Sequence, residues 1–154
     1  MVDEVTNLGK IGLDAGNVMV ALVYGEHDNV GELLTKLGVP YDIFMSPKEI
    51  FLFPDVLEKY DAVFSPCGSE NTKLNQYYTV EEIENVYQWV AEGGTLYVSD
   101  WEYALFEGVA SDAAYFKEEP RIGPAGTITA TILDRNIISL LGKDTTEIQF
   151  GLPA

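Results

Sequence analysis

The sequence is poor in the residue types that supply most nucleophilic and acid–base catalysis. It contains one histidine, His27, and one cysteine, Cys67, in 154 residues. A single cysteine permits no disulfide bond within the chain, and a single histidine excludes any site that needs two imidazoles from one chain. We therefore expect no disulfide framework and no site built on paired histidines.

Basic residues and long apolar runs are also scarce. The chain carries 9 basic and 25 acidic residues, a formal charge of −16, which repels phosphate backbones and anionic lipid surfaces. Nucleic acid and membranes are therefore not expected as partners. The longest unbroken apolar run, 18–24, is far too short to cross a bilayer. Acidic residues at 3–4 stand where a secretory signal carries basic ones, so we expect a cytoplasmic protein.

What the chain does contain is enough apolar sequence for a folded core. Hydrophobic residues make up 47% of it, which excludes a disordered chain, and the length predicts a single domain over residues 1–154. Aromatic residues in connections leave homo-oligomer formation open, because a monomer usually buries them. These residues are Tyr77, Tyr78, Phe106, Tyr115 and Phe116.

The clearest pattern is a β-α-β unit over residues 61–100. Its strands, 61–65 and 95–99, are short apolar runs bounded by turn residues. Between them, Thr79 and Glu82 have the spacing of a capping box, which predicts the start of a helix. The stripe Ile83, Val86, Tyr87 and Val90 gives this helix a core-facing side, and Gly93-Gly94 ends it. A helix of this length between buried strands is a crossover, so the strands are parallel.

The rest of the chain extends this alternation. We predict earlier strands at 17–24 and 41–45, and a helix from Val30 to Leu37 that is capped by Asp28 or Asn29 and stopped at Gly38. A connection of mixed character at 46–53 and a short helix at 54–60 follow. After one or two helical turns within 101–109, the strand 126–133 alternates threonine with apolar residues. That alternation is typical of an edge or antiparallel strand. A helix after Asp134 and a strand at 147–150 follow.

This order of elements predicts a three-layer, doubly wound, mostly parallel α/β sheet. With strand order 2-1-3-4, the crevice opens at the carboxyl ends of strands 1 and 3, where loops 25–29 and 66–71 meet. The end of the fourth strand lies one position further along. Candidate ligand-binding residues from these segments are Gly25, Asp28, Gly68, Ser69, Glu70, Asp100 and Trp101.

Cys67 occupies the turn after a core strand, where many α/β enzymes carry a nucleophile, with the Gly68 and Ser69 N–H groups near enough for an oxyanion hole. His27 is the only imidazole that could activate it, oriented by Glu26 or Asp28, and Glu26 alone is a second candidate partner. The alternative is a buried structural thiol with His27 as an exposed loop residue.

Carboxylates could also converge at this edge. Glu26, Asp28, Glu70, Asp100 and Glu102 have the oxygen ligands that Mg²⁺ or Ca²⁺ prefer, but a charge of −16 makes such clustering expected by chance. Glycine-rich phosphate loops are absent, and a phosphoacceptor domain needs aspartate where Cys67 stands. We therefore predict no metal and no cofactor.

Two segments resemble the class I glutamine amidotransferase-like superfamily, whose flavodoxin-like domains include intracellular-protease-like and ThuA-like branches. They are the strand-to-Cys-Gly corner 61–68 and the helix-to-strand run 86–100. The later segment 131–150 is similar to the corresponding part of ThuA-like chains. The resemblance implies a flavodoxin-like fold and makes Cys67 the position of the nucleophile.

The chain departs from that family where catalysis is concerned. A glutaminase needs a His-x-Glu motif after its cysteine, and no histidine follows Cys67 here. Protease-like relatives place Glu at the position of Glu26 but a histidine where this chain has Gly68. ThuA-like relatives continue beyond the position of Ala154, so we expect a shortened member or a truncated chain.

We therefore expect a non-catalytic or degenerate member that binds a small molecule or a protein partner. The alternative is a Cys67-dependent hydrolase or amidase assisted by Glu26 or His27.

Overall fold

The computed structural model describes residues 17–68, 78–111 and 126–150 of the chain. The chain divides into two compact units, Met1–Tyr115 and Phe116–Ala154. No helix within the described ranges is long and apolar enough to cross a membrane.

The first unit alternates strands and helices along the sequence, as predicted. Its elements are β1 (Val20–Val23), α1 (Val30–Leu37), β2 (Asp42–Phe44), α2 (Lys48–Phe51), α3 (Pro54–Leu57), β3 (Ala62–Ser65), α4 (Val80–Ala91), β4 (Thr95–Val98), a 3-10 turn (Asp100–Glu102) and α5 (Tyr103–Val109). The four strands are parallel and lie in the order β2-β1-β3-β4. The predicted α/β class and strand order are thus confirmed.

The register of the sheet aligns the carboxyl ends of its central strands. Leu22 of β1 pairs with Ile43 on one side and with Phe64 of β3 on the other, and Phe64 in turn pairs with Tyr97 of β4. Because parallel strands in register end at the same edge, the loops that follow β1, β3 and β4 leave the sheet side by side. This edge is where the sequence places the site.

One face of the sheet carries the main core. Ala21, Val23 and Val63 point the same way because side chains alternate along a strand, and all three are fully buried. The helical side chains of the same core include Ile50, Phe51, Leu57 and Val86. Side chains of α2, α3 and α4 therefore cover this face of the sheet and share one core with the strands.

Helix α4 begins at the predicted capping box. Glu82 accepts from the Thr79 N–H and hydroxyl, both at 2.8 Å, and the Glu82 N–H donates to the Thr79 hydroxyl at 3.2 Å. The predicted core stripe is wrong at Tyr87, which is 57% exposed. Trp89 is buried instead, because its indole N–H donates to the Tyr60 carbonyl at 3.0 Å and its ring packs over Gly94.

Helix α1 fixes the end of the first loop. Its N-cap is Asn29, whose side chain accepts from the Glu32 N–H at 3.2 Å, so Asn29 rather than Asp28 caps the helix. Glu32 pairs with Lys36 at 2.6 Å, and this pair lowers the pKa of Glu32. The helix ends at Gly38 in the left-handed conformation with φ 71°, as predicted.

The connection of mixed character predicted at 46–53 contains one helical turn, α2, which the sequence did not predict. The Glu49 carboxylate accepts from the Met45 and Ser46 N–H groups at 2.8 and 3.3 Å, and Ile50 and Phe51 are fully buried. The spacing of Ser46 and Glu49 matches a capping box and could have indicated this helix. A single turn is too short to show periodicity, so the apolar pair carried no helical signal.

The second unit contains a two-stranded antiparallel sheet. Strand β5 (Gly126–Thr131) pairs with β6 (Thr145–Phe150), with Ile128 opposite Ile148. Between them, α6 (Arg135–Leu141) begins where the Asp134 carboxylate accepts from two N–H groups and ends at Gly142. The antiparallel strand near the C-terminus was predicted, although the last strand starts at Thr145 rather than 147.

Candidate functional site

Three segments meet at the carboxyl edge of the parallel sheet, and we call them together the rim. They are Gly25–Asp28 after β1, Pro66–Gly68 after β3, and Ser99–Glu102 after β4. The Glu26 N–H donates to the Gly68 carbonyl at 3.3 Å, and the His27 N–H donates to the Cys67 carbonyl at 3.4 Å. The predicted adjacency of the first two loops is therefore confirmed by direct backbone hydrogen bonds.

The first two segments approach so closely that glycine is required on both sides. A Cβ on Gly25 would lie 2.6 Å from the Cys67 carbonyl oxygen. A Cβ on Gly68 would lie 2.8 Å from the Glu26 nitrogen and 2.9 Å from the His27 ring, and Gly68 has φ 90°. Larger residues would separate the strand ends. These glycines thus shape the rim through the backbone.

Cys67 lies beneath this contact with 3% of its surface exposed. Its N–H donates to the Ser99 hydroxyl at 3.0 Å, and a longer contact of 3.4 Å joins it to the Asp28 carboxylate. Its thiol donates to the Asp100 carboxylate, with sulfur and oxygen 3.8 Å apart. Cys67 therefore bonds to groups from both neighbouring strand ends.

Asp28 and Ser99 connect the outer two segments across Cys67. The Ser99 hydroxyl donates to Asp28, and the same hydroxyl oxygen accepts from the Cys67 N–H. Because Asn29 caps α1, the Asp28 carboxylate is directed to the rim instead of the helix N-terminus. The result is a polar network, Asp28, Ser99 and Cys67, with one member from each loop.

Asp100 reaches the thiol through an unusual backbone conformation. Its φ is 49°, and among the described residues it is the only non-glycine with positive φ. Aspartate tolerates this left-handed region better than most residues, yet the conformation still costs on the order of 1 kcal/mol. The turn after β4 therefore holds Asp100 at Cys67 against a local preference of the backbone.

Glu102 ends the same turn and is fully buried. Its carboxylate accepts a hydrogen bond from the Tyr78 hydroxyl, from the residue just before the cap of α4. Tyr78 is 9% exposed, so the prediction that it is one of the exposed aromatic residues is wrong. Its ring is buried in the core, and its hydroxyl has a buried partner in Glu102. Glu102 is thus directed into the interior.

The predicted site residues divide into three groups. Gly25, Asp28, Cys67, Gly68 and Asp100 are brought together as described above. Glu26 and His27 lie at the rim with exposed side chains, whereas Cys67 beside them is buried. Ser69, Glu70 and the Trp101 side chain lie outside the described part of the structure. In the parts of the chain that are described, no three His, Cys, Asp or Glu side chains are grouped to hold a metal ion.

Two residues with central contacts were missed from the sequence, Ser99 and Tyr78. Ser99 carried a usable signal, because a polar residue that ends a buried strand beside Asp100 must face the same edge. Tyr78 carried none. Its bond to Glu102 spans 24 residues and depends on how α4 packs, which no local pattern encodes.

Comparison of the chain with protein-family models, with curated proteins and with solved structures gives no match. The resemblance to the glutamine amidotransferase-like superfamily therefore depends on the sequence motifs alone.

Proposed function

We propose that this chain is a non-catalytic, degenerate member of the glutamine amidotransferase-like superfamily, with a flavodoxin-like doubly wound fold. Its rim serves as a binding surface for a small molecule or a protein partner. The parallel strand order, with a Cys-Gly turn after the third strand, is the observation that supports the family proposal. The burial of Cys67 and the hydrogen bond of its thiol to Asp100 support the absence of catalysis.

The observation that carries the proposal is the way Cys67 is held. Its N–H bonds to Ser99, its thiol bonds to Asp100, and only 3% of the residue is exposed. A nucleophilic cysteine needs a sulfur atom that its substrate can reach. In this structure Cys67 is buried and its thiol donates to an internal carboxylate.

Charge at the rim supports the same conclusion. Reactive cysteines sit in electropositive surroundings, because a nearby cation or helix N-terminus stabilises the thiolate. Here the groups bonded to Cys67 include the carboxylates of Asp28 and Asp100, which are acceptors for its hydrogens. A negative thiolate beside them would be repelled and would lose the donated bond to Asp100.

The surface above Cys67 has the features of a binding site instead. Glu26, His27 and Asp100 are exposed along one edge, supported by backbone held in fixed geometry by Gly25 and Gly68. Ligands of open α/β sheets bind at the carboxyl ends of strands, where loops of neighbouring strands meet. The carboxylates favour a ligand that donates hydrogen bonds or carries positive charge.

The second candidate is a Cys67-dependent hydrolase assisted by Glu26 or His27. It is favoured by one contact, because the His27 N–H bonds to the Cys67 carbonyl and the His27 ring lies over Gly68. The only imidazole of the chain is therefore beside the cysteine. For catalysis the thiol would have to leave Asp100 and turn toward this exposed side chain.

Ammonia release from L-glutamine, measured beside modification by a glutamine-analogue diazoketone, separates the two candidates. The non-catalytic proposal predicts that the wild-type chain releases no more ammonia than Cys67→Ser and that mass spectrometry finds no adduct on Cys67. Ammonia release or an adduct that disappears in Cys67→Ser would establish the hydrolase, and loss of the activity in His27→Ala or in Glu26→Ala would show which side chain assists. His27→Ala is a suitable companion variant because this side chain is exposed.

A further inference from the structure

The turn after β4 makes contacts with three different parts of the first unit. Ser99 bonds to Asp28 in the loop after β1, and Asp100 bonds to Cys67 in the loop after β3. Glu102 bonds to Tyr78 at the start of α4. The first two contacts belong to the rim, whereas the third lies in the interior. The turn therefore joins the rim to the core.

Burying Glu102 is costly unless its carboxylate is well bonded. The residue is 0% exposed, and moving a carboxylate out of water is unfavourable without hydrogen bonds that replace its hydration. An apolar side chain would fill this position at lower cost. The Tyr78 hydroxyl is one donor that compensates this burial, and it fixes the Glu102 side chain at a defined place relative to α4.

Tyr78 is itself held firmly. Its ring is buried in the main core, tilted against the Phe51 ring at a centroid distance of 6.0 Å. The next residue, Thr79, is the N-cap of α4. The Tyr78 hydroxyl is therefore a fixed point, and a bond to it restrains the turn 99–102.

The restraint acts on a backbone that carries strain. Asp100, two residues before Glu102, has φ 49°, and such a conformation persists only where surrounding contacts enforce it. On one side the Glu102 N–H closes the turn by donating to the Ser99 carbonyl at 3.1 Å. On the other, the Glu102 carboxylate anchors the turn to the core. These two contacts hold Asp100 over the thiol of Cys67.

We propose that Tyr78 and Glu102 are positioning residues of the rim, and that their buried hydrogen bond keeps the turn 99–102 closed over Cys67. Without this bond the turn opens locally, Asp100 leaves the thiol, and Cys67 becomes accessible while the rest of the first unit stays folded. This role of Tyr78 and Glu102 does not depend on whether the rim is catalytic.

The test compares two tyrosine-to-phenylalanine variants. Tyr78→Phe removes the hydroxyl that bonds Glu102, and Tyr60→Phe removes a part-buried hydroxyl that bonds the Asp42 carboxylate at 2.8 Å, away from the rim. Both changes delete one tyrosine-to-carboxylate bond. The measured quantity is the rate of Cys67 alkylation by iodoacetamide in the folded protein, divided by the rate in denaturant, with global stability measured by urea unfolding.

We expect Tyr78→Phe to alkylate at least about tenfold faster than wild type after correction for global stability, because local opening exposes the thiol. Tyr60→Phe should show no such excess. Glu102→Gln, which keeps an oxygen that can accept from Tyr78, should retain protection to within about threefold. Equal corrected rates in Tyr78→Phe and Tyr60→Phe would overturn the proposal.

A measurement on the wild-type chain decides the question if Tyr78→Phe does not fold. Native-state hydrogen exchange reports the opening of the Cys67 and Glu102 amides, which bond to the hydroxyl and the carbonyl of Ser99 respectively. A closed turn predicts that both amides exchange through one common opening, with equal protection factors below that of the core amide of Val63. Protection factors that differ by more than about tenfold between the two amides would contradict it.

Discussion

Cys67 and Ser99 lie 32 residues apart in the chain, and the N–H of the first donates to the hydroxyl of the second at 3.0 Å. The same hydroxyl donates to Asp28, so one serine joins the ends of β1, β3 and β4. Cys67 is therefore bonded through its backbone as well as through its thiol. Its backbone is part of a hydrogen-bond network that closes the edge of the sheet, and its thiol lies within that network.

Removing the Ser99 hydroxyl should destabilise the rim. Ser99→Ala removes the acceptor that lies 3.0 Å from the buried Cys67 N–H, and we expect a loss of about 1–3 kcal/mol in the free energy of unfolding. Urea unfolding measures it. Thr35→Ala, which removes an exposed hydroxyl that donates to the Gly31 carbonyl within α1 at 2.8 Å, is the control and should cost under about 0.5 kcal/mol. Equal losses of unfolding free energy in the two variants would contradict a stabilising role of the Ser99 hydrogen bond.

Gly68 should tolerate alanine far less well than another left-handed glycine. Gly68→Ala places a Cβ 2.8 Å from the Glu26 nitrogen at φ 90°, whereas Gly38→Ala at φ 71° meets nothing within 4 Å. The left-handed conformation destabilises both variants by about 1 kcal/mol, but only Gly68→Ala also introduces a clash. We expect Gly68→Ala to lose at least about 1 kcal/mol more in urea unfolding. Equal losses would mean that the two loops can move apart freely.

The cap of α4 should matter more than an exposed cap. Glu82 is fully buried and one of its oxygens accepts both hydrogens that Thr79 offers. Thr79→Ala removes the hydroxyl, so we expect a loss of about 2 kcal/mol, against about 1 kcal/mol for Asn29→Ala at the exposed cap of α1. Thermal or urea unfolding of the two variants compares them. A smaller loss for Thr79→Ala would contradict the role of the capping box in burying Glu82.

Tyr60 should make stability depend on pH in the alkaline range. Burial, and then the bonded Asp42 carboxylate, raise its pKa to about 12. The folded state therefore keeps the Tyr60 proton where the unfolded state, with a pKa near 10, has lost it. The stabilisation is complete below about pH 10 and is lost as pH rises toward 12.

The measurement for Tyr60 is the difference in unfolding free energy between wild type and Tyr60→Phe. This difference removes the effects of the other eight tyrosines of the nine in the chain. It should be constant from pH 8 to about pH 10 and shrink above it. A difference that stays constant up to pH 12 would show that Tyr60 ionises at its ordinary value.

Much of the fold could be predicted because its signals are local. The capping box at Thr79 and Glu82 and the stop at Gly38 depend on residues a few positions apart, and the structure shows both. The single turn α2 was missed because it is shorter than one helical period. Tyr87 was wrongly placed on the core-facing stripe, because the buried side of α4 runs through Val86 and Trp89. The Trp89 bond to the Tyr60 carbonyl, which spans 29 residues, fixes that orientation of the helix.

The site was only partly predictable. Strand order brought Cys67, Asp28 and Asp100 to one edge, and this followed from topology alone. Their hydrogen bonds depend on Ser99 and on the positive φ of Asp100, which are consequences of packing. The Tyr78–Glu102 bond is of the same kind, since it needs α4 and the turn 99–102 to be in place together.

The accessibility of the Cys67 thiol tests the central claim most directly. The rate of its alkylation by iodoacetamide is compared in the native chain and in the chain unfolded by denaturant, at one pH and reagent concentration. Because the residue is 3% exposed and bonded on both its N–H and its thiol, we predict that the native rate is at least about a hundredfold slower. A native rate equal to or faster than the denatured rate would contradict a structural thiol and indicate an activated nucleophile at the rim.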